Sequence, residues 1–227
     1  MTTLLPRPER KTDSRATARW AGVLYLVTFL ASVPTLSLYA PLREDGFLAG
    51  TGGTAAPTAG AALEVVLAIS CAGTAIALLP VIRRHGESLS VGYLAARVVE
   101  ATLILVGVGS VLALLALRRD GFDDADATAS VLLSVYDATF LLGQSLMPAL
   151  CALTLGTVLY RSGLVPRVIP AIGLVGAPLL LASDLAQLTG VYEMRSALAG
   201  LGALPIAAWE LSLGVWLIAR GFRTPKA

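Results

Sequence analysis

The chain has 227 residues, 56% hydrophobic and only 14% charged, with a net charge of +2 and a mean hydropathy of +0.77. A soluble domain carries about 25% charged residues, so this composition cannot cover a water-facing surface. The lysines and arginines lie between apolar runs and at the termini, where membrane topology explains them and a nucleic-acid partner does not.

Six apolar spans follow one another along the chain: 20–40, 59–82, 89–117, 130–160, 167–189 and 197–219. Each meets the roughly 20 residues needed to cross about 30 Å of hydrocarbon. They predict one all-α domain over 19–220, an integral membrane bundle of six transmembrane helices. Cytoplasmic tails at 1–18 and 221–227 flank it. The N-terminal tail, with Pro6, Pro8 and mixed charges, reads as flexible. The first span is too long for a signal-peptide core and follows nineteen polar residues, so it reads as a permanent span. Twelve Lys and Arg fall on the side of the two termini, including Arg15, Arg83, Arg161 and Arg220. Four fall in the opposite loops: Arg43, Arg118, Arg119 and Arg195. The positive-inside rule then places both termini in the cytoplasm of a cell whose inner membrane holds the protein.

Between the spans, the loop Ala49 to Gly60 is rich in Gly, Thr and Ala and reads as mobile or irregular. The loop 118–127 carries Asp120, Asp123, Asp124 and Asp126 but lacks the glycine and distal glutamate of a calcium loop, so it reads as a solvated acidic turn. Pro148 should kink the fourth span by removing a backbone donor, and Pro34, Pro178 and Pro205 should act similarly elsewhere. Cys71 and Cys151 fall within spans and read as packing residues. The single histidine, His85, sits in a short basic loop, and no metal or cofactor is implied.

The spans also carry charges. Arg97 and Glu100 lie three apart on one face of the third span, which Tyr93 extends. A charge at bilayer depth costs at least about 2.5–3.5 kcal/mol, so the pair needs a reason to be there. At about 1.5 Å of rise per residue, Arg97, Glu100 and Glu210 form a middle tier. Glu64, Asp137 and Asp184 form an outer tier close enough to the interface to snorkel. Five embedded acids face one embedded arginine, so the surplus must be protonated or wet. Polar stripes run through the first span (Tyr25, Thr28, Ser32, Thr35, Tyr39) and the fourth (Asp137 and Gln144, seven apart on one face). Gly73 with Ala77, and Gly173 with Ala177, are small-x-x-x-small pairs suited to close helix approach. No GxSxG, HExxH, GxGxxG or P-loop signature is present in the sequence.

Several segments together resemble a known family. They are 18–25 (ARWAGVLY), 92–100 from Gly92-Tyr93 to Arg97-Val98-Val99-Glu100, 159–167 (LYRSGLVPR) and 205–222 from Pro205-Ile206-Ala207-Ala208-Trp209-Glu210 to Arg220-Gly221-Phe222. The chain resembles the bacterial membrane proteins of the domain of unknown function 4386 family from about residue 16 to 222. The resemblance implies a multi-pass membrane protein and assigns no catalytic residue. The sequence reading is therefore a non-enzymatic protein that binds or moves a small molecule or ion through a polar intramembrane cavity. Arg97, Glu100, Glu210 and Tyr93 are its central residues. An intramembrane lipid-modifying enzyme and a scaffold for a regulatory partner are the alternatives. Lipid bilayer is the one certain partner, and oligomeric state is left open.

Overall fold

In the computed structural model the described residues are 11–44, 46–121, 125–193 and 196–223. Among them every regular element is helical, and six helical stretches are long and apolar enough to cross a membrane. This outcome follows from the solvent: within hydrocarbon, a backbone must satisfy its own polar groups, and a helix does so within one segment. The first span joins α1 (Lys11–Ser32) to a short α2 (Thr35–Leu38) and a 3-10 turn (Ala40–Arg43). The second is α3 (Ala55–Ile82), continued by a 3-10 turn (Arg83–His85), and the third is α4 (Glu87–Asp120). The fourth contains α5 (Ala125–Thr139), a π-helical segment (Phe140–Leu146) and α6 (Met147–Ser162). The fifth and sixth are α7 (Val168–Leu188) and α8 (Ala197–Ala219).

Helix α1 begins at Lys11, inside the stretch 1–18 read as tail, while residues 1–10 and 224–227 lie outside the described residues. Asp123, Asp124 and Arg195 also lie outside them. The prolines act unequally. Pro34 separates α1 from α2, and Pro148 is the second residue of α6, in the first turn after the π-helical segment, whose wider turns absorb the missing donor. Pro178 and Pro205 sit inside helices that run through them without a break.

The spans form a ring in chain order. Each packs on the next, and α8 closes the ring against α1. Close approach depends on glycine: a Cβ at Gly22 would lie 2.6 Å from the Gly214 carbonyl oxygen, and one at Gly173 would lie 2.6 Å from the Trp209 ring. The second of the two predicted small-residue pairs thus forms part of the α7–α8 seam, where Gly176 also meets Pro205. Gly73 meets Leu24. Both ends of the described chain lie together, since a methyl at Gly221 would sit 3.8 Å from Ala18 and Arg15. The Arg223 amide donates to the Leu164 carbonyl at 2.7 Å, so the loop after the fourth span shares that end.

Two apolar cores fill the ring. One runs through the terminal half, around Tyr25, Leu78, Leu155 and Trp209, and continues up α7 and α8. The other lies at the opposite end among α2, α3, α4 and α5, around Tyr39, Ile104 and Tyr136. Residues 49–54 of the loop between the first two spans are irregular, as expected, whereas 55–60, read as loop, form the start of α3. Arg118 donates to the carbonyls of Gly50, Thr51 and Gly52 and stacks 4.3 Å from the Phe47 ring.

Candidate functional site: a charged cluster at the floor of an intramembrane cavity

Arg97, on α4 facing the ring interior, is only 1% exposed. One terminal nitrogen donates to both carboxylate oxygens of Glu100, at 3.1 and 3.0 Å. The i, i+3 spacing on one helix puts the two side chains side by side. Its other terminal nitrogen donates to Oε1 of Glu210 on α8, so the cluster ties the third span to the sixth. The guanidinium also lies over the rings of Tyr25 and Tyr93, 5.2 and 5.8 Å from their centroids, an arrangement that offsets part of the cost of burying it.

Around this cluster runs a directed chain of hydroxyls. Thr74 donates to the Cys71 carbonyl at 2.7 Å, so it accepts from Tyr93 at 3.3 Å, and Tyr93 in turn accepts from Tyr25 at 2.8 Å. The Cys71 thiol closes the set by donating to Oε1 of Glu100 at 3.4 Å. The structure thus gathers Tyr93, Arg97, Glu100 and Glu210 in one place, with formal charge −1. It adds Tyr25 and Cys71. Cys71 gave no sequence signal beyond its place in a span, because an apolar run reads alike whether a thiol packs or donates.

The outer acids separate into three situations. Glu64 is fully buried and does not snorkel. It accepts from Tyr39 at 3.1 Å, Tyr136 at 2.8 Å and Gln144 at 3.0 Å, so three neutral donors hold it. Asp184 is also buried, and its Oδ1 accepts from Ser145 and, at 3.4 Å, from Gln187. Its Oδ2 has no partner among the described residues. Asp137 lies near the surface, where Arg43 grips both its oxygens, one at 3.0 Å. Arg43, counted in the sequence as a loop charge, is therefore the cation for one of the five acids. A part-exposed ion pair of this kind contributes about 0–1 kcal/mol. Asp137→Asn should accordingly leave the melting temperature of the detergent-solubilised protein within a few degrees of wild type.

The charged cluster is not sealed. A cavity of about 230 Å³ is lined by Cys71, Arg97, Glu100 and Glu210 at its floor and by Phe29, Val33, Phe140, Leu180 and Ile206 on its sides. A second chamber of about 440 Å³ is lined by Tyr39, Tyr136, Gln187, Ser196 and Gly200, toward the end away from the termini. The two share Leu36, Phe140, Gln144, Ser145 and Ala203 as walls, so the chambers adjoin. Both occupy the space between the second apolar core and the α7–α8 pair. The first and sixth spans touch at Gly22 and Gly214 and part beyond that crossing, with Val33 and Leu36 facing Ala203 and Ala207 across the gap. Among the described residues no group of His, Cys, Asp and Glu is placed to hold a metal ion.

The family model described as a domain of unknown function (DUF4386) matches residues 20–221. The chain belongs to the DUF4386 family. No curated protein and no solved structure matches it. The DUF4386 match reaches into all six spans, from residue 20 in the first, and the residues of the charged cluster and of both chambers fall inside it.

Proposed function

We propose that this multi-pass membrane protein binds a small molecule or ion within its ring, in the two adjoining chambers, with Arg97, Glu100 and Glu210 forming the floor of the site. The single observation that carries this reading is the contact between the charged cluster and open space. An ion-pair network that served only to hold helices together would be expected to be enclosed by packing, as the tyrosine side of this cluster is. The second chamber falls in the size range of small-molecule sites and has their composition, mostly apolar with a few placed polar groups. Our reading of orientation follows the excess of Lys and Arg at the terminal end. It puts that end in the cytoplasm of the cell membrane and the second chamber toward the outside.

The test is chemical access. In a protein whose Cys71 and Cys151 are replaced by Ser and Ala, a cysteine introduced as Ser145→Cys should react with a water-soluble thiol reagent added to intact cells. A cysteine introduced as Ala152→Cys, in the packed core, should not. Equal and negligible labelling at both positions would mean a dry interior and would remove the reading.

A further inference from the structure

We infer that the ligand is a small organic cation, an ammonium group on an apolar body, held by the free carboxylate oxygen of Glu210. This rests on the reading of the chambers as a binding site and names the ligand class.

The charge balance selects the sign. The floor carries two carboxylates and one guanidinium, and both terminal nitrogens of Arg97 are already given to Glu100 and Glu210. An anion entering here would meet an arginine already bridging two carboxylates, both of which repel it, although the Arg97 Nε–H has no partner among the described residues. Behind the chamber walls stand two more acids without a cation among the described residues: Asp184, which Ser145 contacts, and Glu64, which Gln144 contacts. Ser145 and Gln144 line both chambers, and the floor itself sets two carboxylates against one guanidinium. In a low-dielectric interior that imbalance favours a positive guest.

The free acceptors select the seat. Glu210 commits only Oε1 to Arg97. Its Oε2 has no partner among the described residues, and the side chain keeps 13% exposure while lining the first chamber. Asp184 Oδ2, in a residue 99% buried, is a second carboxylate oxygen left without a donor beside the same wall. The lining then selects an organic ion over a bare one. A metal cation needs several converging oxygens, whereas Phe29, Phe140, Leu180 and Ile206 offer rings and methyls suited to a hydrocarbon body, with cation–π attraction from the two rings. The gap between Val33 and Ala207 opens on the lipid-facing side of the first span, where Val33 and Leu36 are exposed. Such an amine can arrive from the bilayer as well as from water.

Three probes of similar body separate the possibilities: 2-phenylethylammonium, 2-phenylethanol and 3-phenylpropanoate. Each is added to the full-length Ser145→Cys protein in lipid nanodiscs, and the rate of thiol labelling is followed. The ammonium should slow labelling, the alcohol should do so about tenfold more weakly, and the carboxylate should have no effect. Glu210→Gln should reduce the ammonium effect by about tenfold and leave that of the alcohol unchanged. Should that variant fold poorly, Ala207→Phe, which fills the gap one turn before Glu210, should abolish protection by both the ammonium and the alcohol. Stronger protection by the alcohol or the carboxylate would overturn the cation while leaving a binding cavity. An undiminished ammonium effect in Glu210→Gln would overturn its seat. A cysteine at 145 that never labels, with no probe altering thermal stability, would remove the cavity reading itself.

Discussion

Arg97→Leu should prevent the protein from being recovered as a stable, monodisperse species. The substitution leaves Glu100 and Glu210 facing each other in the ring interior without the guanidinium that both now share. Removing one partner of a buried ion pair costs about 3–5 kcal/mol, a large part of the stability of most domains. Here two carboxylates are left at once. The Tyr25 and Tyr93 rings also lose the cation between them. Much of the penalty comes from uncompensated charge, so it should be relieved by removing the charge. The triple variant Arg97→Leu, Glu100→Gln, Glu210→Gln should recover most of the monodisperse peak on size exclusion in mild detergent. If Arg97→Leu alone behaves as wild type, the two acids are hydrated or neutral without it, and the cluster does not hold the third span to the sixth.

Gly22→Leu should open the ring. A Cβ there would lie 2.6 Å from the Gly214 carbonyl oxygen and 3.0 Å from the Ile218 amide, and these are backbone atoms that cannot rotate aside. The first and sixth spans must move apart. Overpacking costs about 1–3 kcal/mol where side chains can adjust, and a backbone obstacle puts this site at the upper end. The comparison is Gly109→Leu, which adds the same side chain to an exposed position on α4 where a Cβ meets nothing within 4 Å. Melting curves in one detergent should show Gly22→Leu lowered by many degrees and Gly109→Leu nearly unchanged. Similar curves for both would mean that the Gly22–Gly214 crossing is not a tight contact in the folded protein.

The six spans were legible because a bilayer imposes one length and one composition on each of them. Arg97 with Glu100 was legible for a similar local reason, since helical spacing alone puts them on one face. Glu210 could be placed with them only by depth, because the contact joins residues 113 apart in the chain. The sequence did not reveal what the neutral groups do. Glu64 is satisfied by two tyrosines and an amide from three different segments, and no spacing announces such a convergence. Asp137 was grouped with Gln144 on one face by their separation of seven. The structure sends Asp137 outward to Arg43 and brings Tyr136 with Gln144 onto Glu64. The regular α-helical period fails there because the segment between them is not α-helical. Arg43 was likewise hidden as a partner, since Pro34 and the 3-10 turn redirect the end of the first span.

Tyr136 and Gln144 stand eight apart, the spacing of two α-helical turns with one residue inserted. The π-helical segment is that insertion. It lets the adjacent residues Gln144 and Ser145 serve different carboxylates, one on the second span and one on the fifth. In an unbroken α-helix the same eight-residue separation would turn Tyr136 and Gln144 about 80° apart, away from a shared target.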